Sequence, residues 1–224
     1  MRLLTPKPSN REQVFGDVRQ SLELLGPSIR SGAQAEYERV MSTETPRPVV
    51  DGLLVDNFLT KHAAVHGTSK IVRSNAEVPD AVSEFLEAHD LPAQLIMGAS
   101  QFLASFDWPD HWEIETRTAR KTDNVSVTDA VCAIAETGTI MLVSSPTASS
   151  THAFLPENHV VIINAGMVVR HLDDALRLAS SKIDDGTSGV HMVTGPSKTA
   201  DVEQTIQYGA HGPRRLHVII IDAK

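Results

Sequence analysis

Residues 159–164 read His159-Val160-Val161-Ile162-Ile163-Asn164, and residues 216–221 read Leu216-His217-Val218-Ile219-Ile220-Ile221. Neither run alternates polar with apolar. A strand wetted on one face alternates. A near-continuous β-branched run belongs to a strand covered on both faces, which is the situation in a parallel sheet. Parallel strands also need long crossover connections, usually helical. Between the two runs Leu172, Leu176, Ala179 and Ile183 recur at helical spacing and predict such a helix. Val190–Thr194 predicts a further strand.

The same alternation extends upstream. Lys70–Arg73, Gln94–Met97, Trp112–Thr116 and Val125–Thr128 read as strands. Pro79 suits the first turn of a helix that carries Val78, Val82, Phe85 and Leu86 on one face. Ala130–Val143 is rich in strand formers, and Glu136-Thr137-Gly138 reads as a hairpin turn within it. The expected fold class is α/β: a largely parallel sheet flanked by helices, with one hairpin inserted.

The first 45 residues have a different texture. Ser9-x-x-Glu12 resembles a capping box, and Val14, Val18, Leu22 and Leu25 follow at helical spacing until Gly26-Pro27. Ala33, Tyr37, Val40 and Met41 predict a second, shorter helix. Pro46-Arg47-Pro48 reads as a linker. The expected organisation is an N-terminal helical extension over 1–45 and an α/β domain over 50–224.

Composition narrows the function classes. The 224 residues carry 41% hydrophobic and 21% charged residues, ordinary for a globular protein. The net charge is −8 and there is no run of Lys or Arg, so no nucleic-acid role is expected, since phosphate neutralisation needs a basic face. No apolar run approaches the ~18 residues of a membrane span, and no signal peptide is evident at the start, so the expected location is cytoplasmic. Cys132 is the single cysteine. One thiol cannot hold a conventional iron–sulfur cluster, which takes several.

Standard motifs for several chemistries are absent. Lys198-Thr199 would need glycines at 192 and 197 to form a phosphate-binding loop, and those positions are Met192 and Ser197. No Gly-x-Gly-x-x-Gly follows a strand, and no Gly-x-Ser-x-Gly marks a hydrolase serine. His62 and His66 have the spacing of two metal ligands on a helix, but the glutamate of a zinc protease is missing. With ten histidines in the chain, one such pair arises readily by chance.

Two constellations carry candidate chemistry. In 195–203, Gly195 and Pro196 turn the chain at a strand end, and Ser197 and Thr199 are expected to cap a following helix. Asp201 and Glu203 would lie in that helix's first turn. Backbone amides there, with Lys198, would suit a small anionic ligand. A well-capped turn with a solvated lysine explains the same residues equally well. In Glu136-Thr137-Gly138-Thr139, the choice is between a hairpin turn and a carboxylate with two hydroxyls held beside a bound small molecule.

Val127-Thr128-Asp129-Ala130, followed by Ala133-Ile134-Ala135-Glu136-Thr137-Gly138-Thr139, resembles the central motif of the LUD-domain family. Gly195-Pro196-Ser197-Lys198-Thr199-Ala200-Asp201-Val202-Glu203, with Gly209-Ala210-His211-Gly212-Pro213 and Leu216-His217-Val218, resembles its C-terminal motif. Pro156-Glu157-Asn158-His159-Val160 lies between them, as the family's Pro-x-x-His element does. Length and cysteine count resemble the short, cysteine-poor branch called lactate utilization protein C. Thr147–Ala153 lacks the glycine-rich character of many relatives.

The resemblance implies a fold similar to the group of ribose-5-phosphate isomerase, glucosamine-6-phosphate deaminase and the CoA-transferases. It implies a role in oxidising L-lactate to pyruvate as one of three proteins. This chain would be a non-redox subunit without a cofactor, and cysteine-rich partners would carry the iron–sulfur clusters. Carried onto this sequence, the candidate catalytic residue is Glu136. The candidate ligand-binding residues are Thr137, Gly138, Thr139, Gly195, Ser197, Lys198, Thr199 and Asp201. The alternative is a stand-alone enzyme or ligand-binding protein acting on a small phosphorylated or CoA-linked metabolite, with Glu136 as base or nucleophile and Lys198 as anion anchor.

Overall fold

The computed structural model describes residues 47–145, 148–183, 186–200 and 206–223, with Gln20 and Ala35. The helices expected within 1–45 lie outside the described residues apart from those two positions, and Asp201 lies outside them as well. The chain divides into units of residues 1–47 and 48–224. The elements below belong to the second unit.

The two apolar runs are the centre of the fold. Strand β7 (Asn158–Asn164) lies between β12 (Arg215–Ile221) and β4 (Val125–Asp129), parallel to both. Beyond β12 is β1 (Thr68–Val72); beyond β4 are β2 (Gln94–Met97) and then β3 (Glu113–Thr116). All five pairings are parallel, giving a six-stranded sheet in the order β1-β12-β7-β4-β2-β3.

Side-chain alternation splits the core between the two faces. Val160, Ile162, Ile219 and Ile221 meet helix α2 (Val78–Ala88) on one face. Val161, Ile163, Val218 and Ile220 meet the other layer, including Phe58 of helix α1 (Leu54–Ala64). Each such side chain, fully buried, contributes about 1.5–3 kcal/mol. That explains why these strands tolerate no polar alternation.

The inserted hairpin does not join the parallel sheet. Strand β5 (Cys132–Ile134) and β6 (Thr139–Ser144) pair antiparallel around the 136–138 turn. They recruit β8 (Val168–Val169) and β9 (Gly189–Val193) into a separate four-stranded mixed sheet in the order β8-β5-β6-β9. Val190–Thr194 was expected as a further strand of the largely parallel sheet. It is instead the half-exposed edge of this second sheet. Ala133 and Ile140 face the main sheet, while Cys132, Ile134 and Met141 face helix α5 (Leu172–Ser180).

Two other expectations change. Helix α5 buries Ala175 and Ala179, whereas Leu172, Leu176 and Ile183 are exposed. The small face is what lets α5 lie close on the second sheet. Residues 198–200 do not start a helix. Lys198–Ala200 is strand β10, paired antiparallel with β11 (Ile206–Tyr208). Two short helices, α3 (Gln101–Ala104) and α4 (Thr151–Phe154), follow β2 and precede β7. Among the described residues no helix is long and apolar enough to cross a membrane.

Candidate functional site

The two motif turns meet each other, and both press on helix α1. Thr137 and Thr139 hydroxyls lie 2.7 Å apart, and Thr139 continues to the Thr194 hydroxyl at 2.7 Å. Gly138 sits at φ +69, and a Cβ there would stand 2.4 Å from the His62 backbone nitrogen. Gly195 sits at φ +77, and a Cβ there would stand 2.6 Å from the Val65 carbonyl oxygen. Both glycines therefore satisfy two demands at once: a left-handed backbone and a close approach that no side chain permits.

The other predicted residues have structural partners in these turns. Glu136 Oε2 accepts from His171 Nδ1 at 3.2 Å and from the Leu172 amide at 3.4 Å, at the start of α5. The Ser197 amide donates to the Pro213 carbonyl at 2.9 Å, and Ser197 Oγ accepts from the His211 amide at 3.3 Å. That amide is thus committed within the fold. Lys198 is exposed on β10, and Thr199 pairs with Gln207 of β11. Thr137, Thr139 and Thr194 are brought together; Glu136 and Lys198 lie on separate elements.

His62 and His66 do not converge. His62 is fully buried, donates from Nδ1 to the Gly138 carbonyl at 3.3 Å, and stacks on Phe58. Gly67 closes over its Nε2, where an added Cβ would stand 2.1 Å away. Burial lowers the His62 pKa, against weaker upward effects of its backbone contacts. His66 turns outward at φ 68 and meets Tyr208 edge-on. Among the described residues no group of three His, Cys, Asp or Glu is placed to hold a metal. Cys132 is buried, and desolvation pushes its thiol up to about 11, which removes thiolate character at neutral pH.

A cleft lies elsewhere among the described residues. Its volume is about 300 Å³, and it opens at the carboxyl ends of β2 and β4, between the parallel sheet and the second sheet. That is where open parallel sheets place their ligands, because adjacent loops diverge there. One wall carries Asp129, at the end of β4, whose Oδ2 accepts from Ser100 Oγ at 2.9 Å. The opposite wall carries Ser144 and His191, with Oγ and Nε2 2.7 Å apart. Ser144 also reaches the Gly189 carbonyl at 3.2 Å, and Phe154 packs edge-on against the His191 ring.

The Ser149–Ala153 segment forms the third side. It is tied down by Ser126 Oγ donating to the His152 carbonyl at 2.6 Å and by Thr151 Oγ1 accepting from the Ala119 amide at 3.1 Å. His152 Nδ1 faces the Ser149 carbonyl at 2.8 Å, and Nε2 faces the Arg117 carbonyl at 2.7 Å. Behind the wall, Thr128 Oγ1 meets His159 Nε2 at 2.8 Å. Desolvation first, and His152 second, push His159 down to about 3, so its ring is neutral.

The cleft residues escape a linear reading. Gly98-Ala99-Ser100 directly after β2, and Asp129 at the end of β4, were visible as small and polar residues at strand ends. Their convergence depends on β2 and β4 being neighbours, and strand order is not written in local pattern. The serines of 149–150 fill the place where glycine-rich character was expected.

A parallel six-stranded sheet flanked by helices, with a cleft at its carboxyl edge, defines an α/β protein. The comparisons make this specific: the LUD domain model matches residues 57–221, and the chain belongs to that family. Lactate utilization protein C of an Exiguobacterium species is 31% identical over 225 residues, covering 95% of this chain and 96% of that protein. Lactate utilization protein C of Bacillus subtilis is 28% identical, covering 95% and 96%. An uncharacterized protein of Neisseria meningitidis serogroup B is 34% identical over 113 residues, 50% of this chain and 47% of that protein. A crystal structure of a DUF162 family protein from Deinococcus radiodurans superposes with a TM-score of 0.58 at 18% identity, covering 78% of this chain and 99% of that one. That likeness is one of fold.

Proposed function

We propose that this chain serves lactate utilization as the non-redox subunit of an iron–sulfur L-lactate oxidation system. The observation that carries the reading is the end-to-end similarity to proteins named lactate utilization protein C. The chain's own chemistry is consistent with it. Oxidation of lactate to pyruvate releases two electrons and two protons. The single thiol here is buried and protonated, so electrons pass to cysteine-rich iron–sulfur partners in the same compartment, the cytoplasm. This chain contributes the cleft at the ends of β2 and β4, which binds a small anionic ligand.

The reading is tested by deletion and purification. A strain lacking this chain, with no other lactate dehydrogenase, loses growth on L-lactate and regains it on complementation. The tagged protein co-purifies with a cysteine-rich, iron-containing chain, and the isolated protein does not reduce a dye with L-lactate. Normal growth of the deletion strain on L-lactate overturns the role. Lactate oxidation by the isolated chain overturns the non-redox assignment.

A further inference from the structure

We infer that the cleft binds a polyhydroxylated monocarboxylate: a sugar-acid type of ligand, longer than lactate and without phosphate. The inference rests on the cleft being the ligand site of this protein. On the wall built by the parallel sheet, Asp129 already takes Ser100 Oγ on Oδ2. An ionised carboxylate only accepts, so its complement on a ligand is a donor such as a hydroxyl. On the opposite wall the Ser144–His191 pair donates or accepts according to tautomer, as a hydroxyl does. Ser150 adds a further hydroxyl, while Ser149 Oγ is engaged by the Thr151 hydroxyl and amide. The cleft thus offers several groups that each match an alcohol.

Charge and size refine the class. Among the described residues lining the cleft, Lys182 is the single Lys or Arg and Asp129 the single carboxylate. One ligand carboxylate answers Lys182. A doubly charged phosphate would face Asp129 as well, and like charges repel more strongly in a partly desolvated cleft than in water. A volume of about 300 Å³ holds roughly ten waters at liquid density. Lactate, a three-carbon acid, leaves most of that volume to solvent. A six-carbon hydroxy acid occupies more of it and can offer hydroxyls to more than one wall.

Calorimetric titration of the full-length protein with D-gluconate, L-lactate and 6-phosphogluconate tests this. Gluconate is expected to bind about ten-fold more tightly than either of the others, the equivalent of about one extra hydrogen bond to a charged group. Asp129→Asn and Ser100→Ala are each expected to weaken gluconate about five-fold or more while moving lactate less than about two-fold. Ser100→Ala keeps the test decisive if Asp129→Asn fails to fold by circular dichroism. Equal affinity for gluconate and lactate, tighter binding of the phosphorylated acid, or indifference of gluconate to both variants overturns the inference. Growth on lactate is scored separately. Failure of the titrations with growth intact removes the ligand class and leaves the lactate role standing; failure of growth complementation removes that role whatever gluconate does.

Discussion

Thr139 and Thr194, 55 residues apart in sequence, share a hydrogen bond of 2.7 Å between their hydroxyls. This bond joins the hairpin turn of the second sheet to the turn that leaves β9. Thr139 is almost fully buried, and its hydroxyl also meets Thr137. Thr139→Val keeps the shape and removes the link. The expected loss is about 1 kcal/mol in urea denaturation, typical of one hydrogen bond. An unchanged midpoint would show that the two turns hold their places without it.

The motif glycines should respond far more. Gly138→Ala and Gly195→Ala each force a left-handed backbone on a residue with a Cβ and push that Cβ into backbone atoms of helix α1 or its C-cap. Each is expected to destabilise by roughly 2–4 kcal/mol, combining backbone strain with overpacking. Gly166→Ala is the control, because an added Cβ there meets nothing within 4 Å. Thermal melts of the three variants should separate them cleanly; equal melting temperatures would discount the close approach.

Stability should fall on mild acidification. Burial pushes His159 down to about 3 and His217 down to about 4, and lowers His62 in the same direction. The folded state keeps these rings neutral, while the unfolded chain binds protons below its ordinary value of 6.5. Stability is therefore complete above that value and declines as pH drops from 6.5 toward 4. The slope is about 1.4 kcal/mol per pH unit for each ring held neutral. Asp123, held low first by its hydrogen bond to Arg117, acts in a different window: its contribution is present above 3.8 and goes only at lower pH. Urea midpoints at pH 7 and 6 read the histidine effect, and pH 5 extends it to where carboxylates such as Glu115 begin to contribute. A flat series refutes it, and His217→Gln should make the series shallower.

The Arg117 network offers a second, separate measurement. Arg117 bonds Asp123 at 2.8 and 2.9 Å and Glu115 at 2.7 Å, and Asp123 also accepts from the Arg120 amide. The Asp123 side chain is 11% exposed, whereas Glu115 is 64% exposed. Asp123→Ala should therefore cost about 1–3 kcal/mol, because it leaves a half-buried guanidinium with fewer acceptors. Glu115→Ala should leave the urea midpoint nearly unchanged, as the loss of an exposed pair usually does. Comparable losses from both would contradict the difference in burial.

Much of this architecture was legible because local pattern and burial agree. The runs at 159–164 and 216–221 could only be strands covered on both faces, and Pro79 with Val82, Phe85 and Leu86 marked α2. Helix α1 was not legible: its N-cap, Leu53, offers no capping side chain, and a buried histidine stands in its apolar stripe. Leu172 and Leu176 misled because the second sheet prefers the small face of α5, a packing choice that periodicity does not encode. The start of β10 was read as a helix start because Ser, Thr, Asp and Glu suit a cap. Antiparallel pairing with a segment several residues later decided otherwise. The cleft lay beyond a linear reading because Asp129, Ser144 and His191 come from three strands of two sheets.

The position of β12 carries one more consequence, for the order of events during synthesis. The strand that emerges last lies second in the sheet, between β1 and β7. Thr68 pairs with His217, so the first strand of this unit waits nearly 150 residues for its neighbour. Contacts so distant along the chain form slowly, since a long loop must close before they give anything back. A nascent chain held on the ribosome short of residue 215 would expose the apolar edge of β7 and leave β1 without a neighbour to pair with. The earlier strands β2, β3, β4 and β7 can already stand together, so the last strand works as the bolt of the domain, and a ribosome stalled just before it holds a half-built sheet for the chaperones to guard.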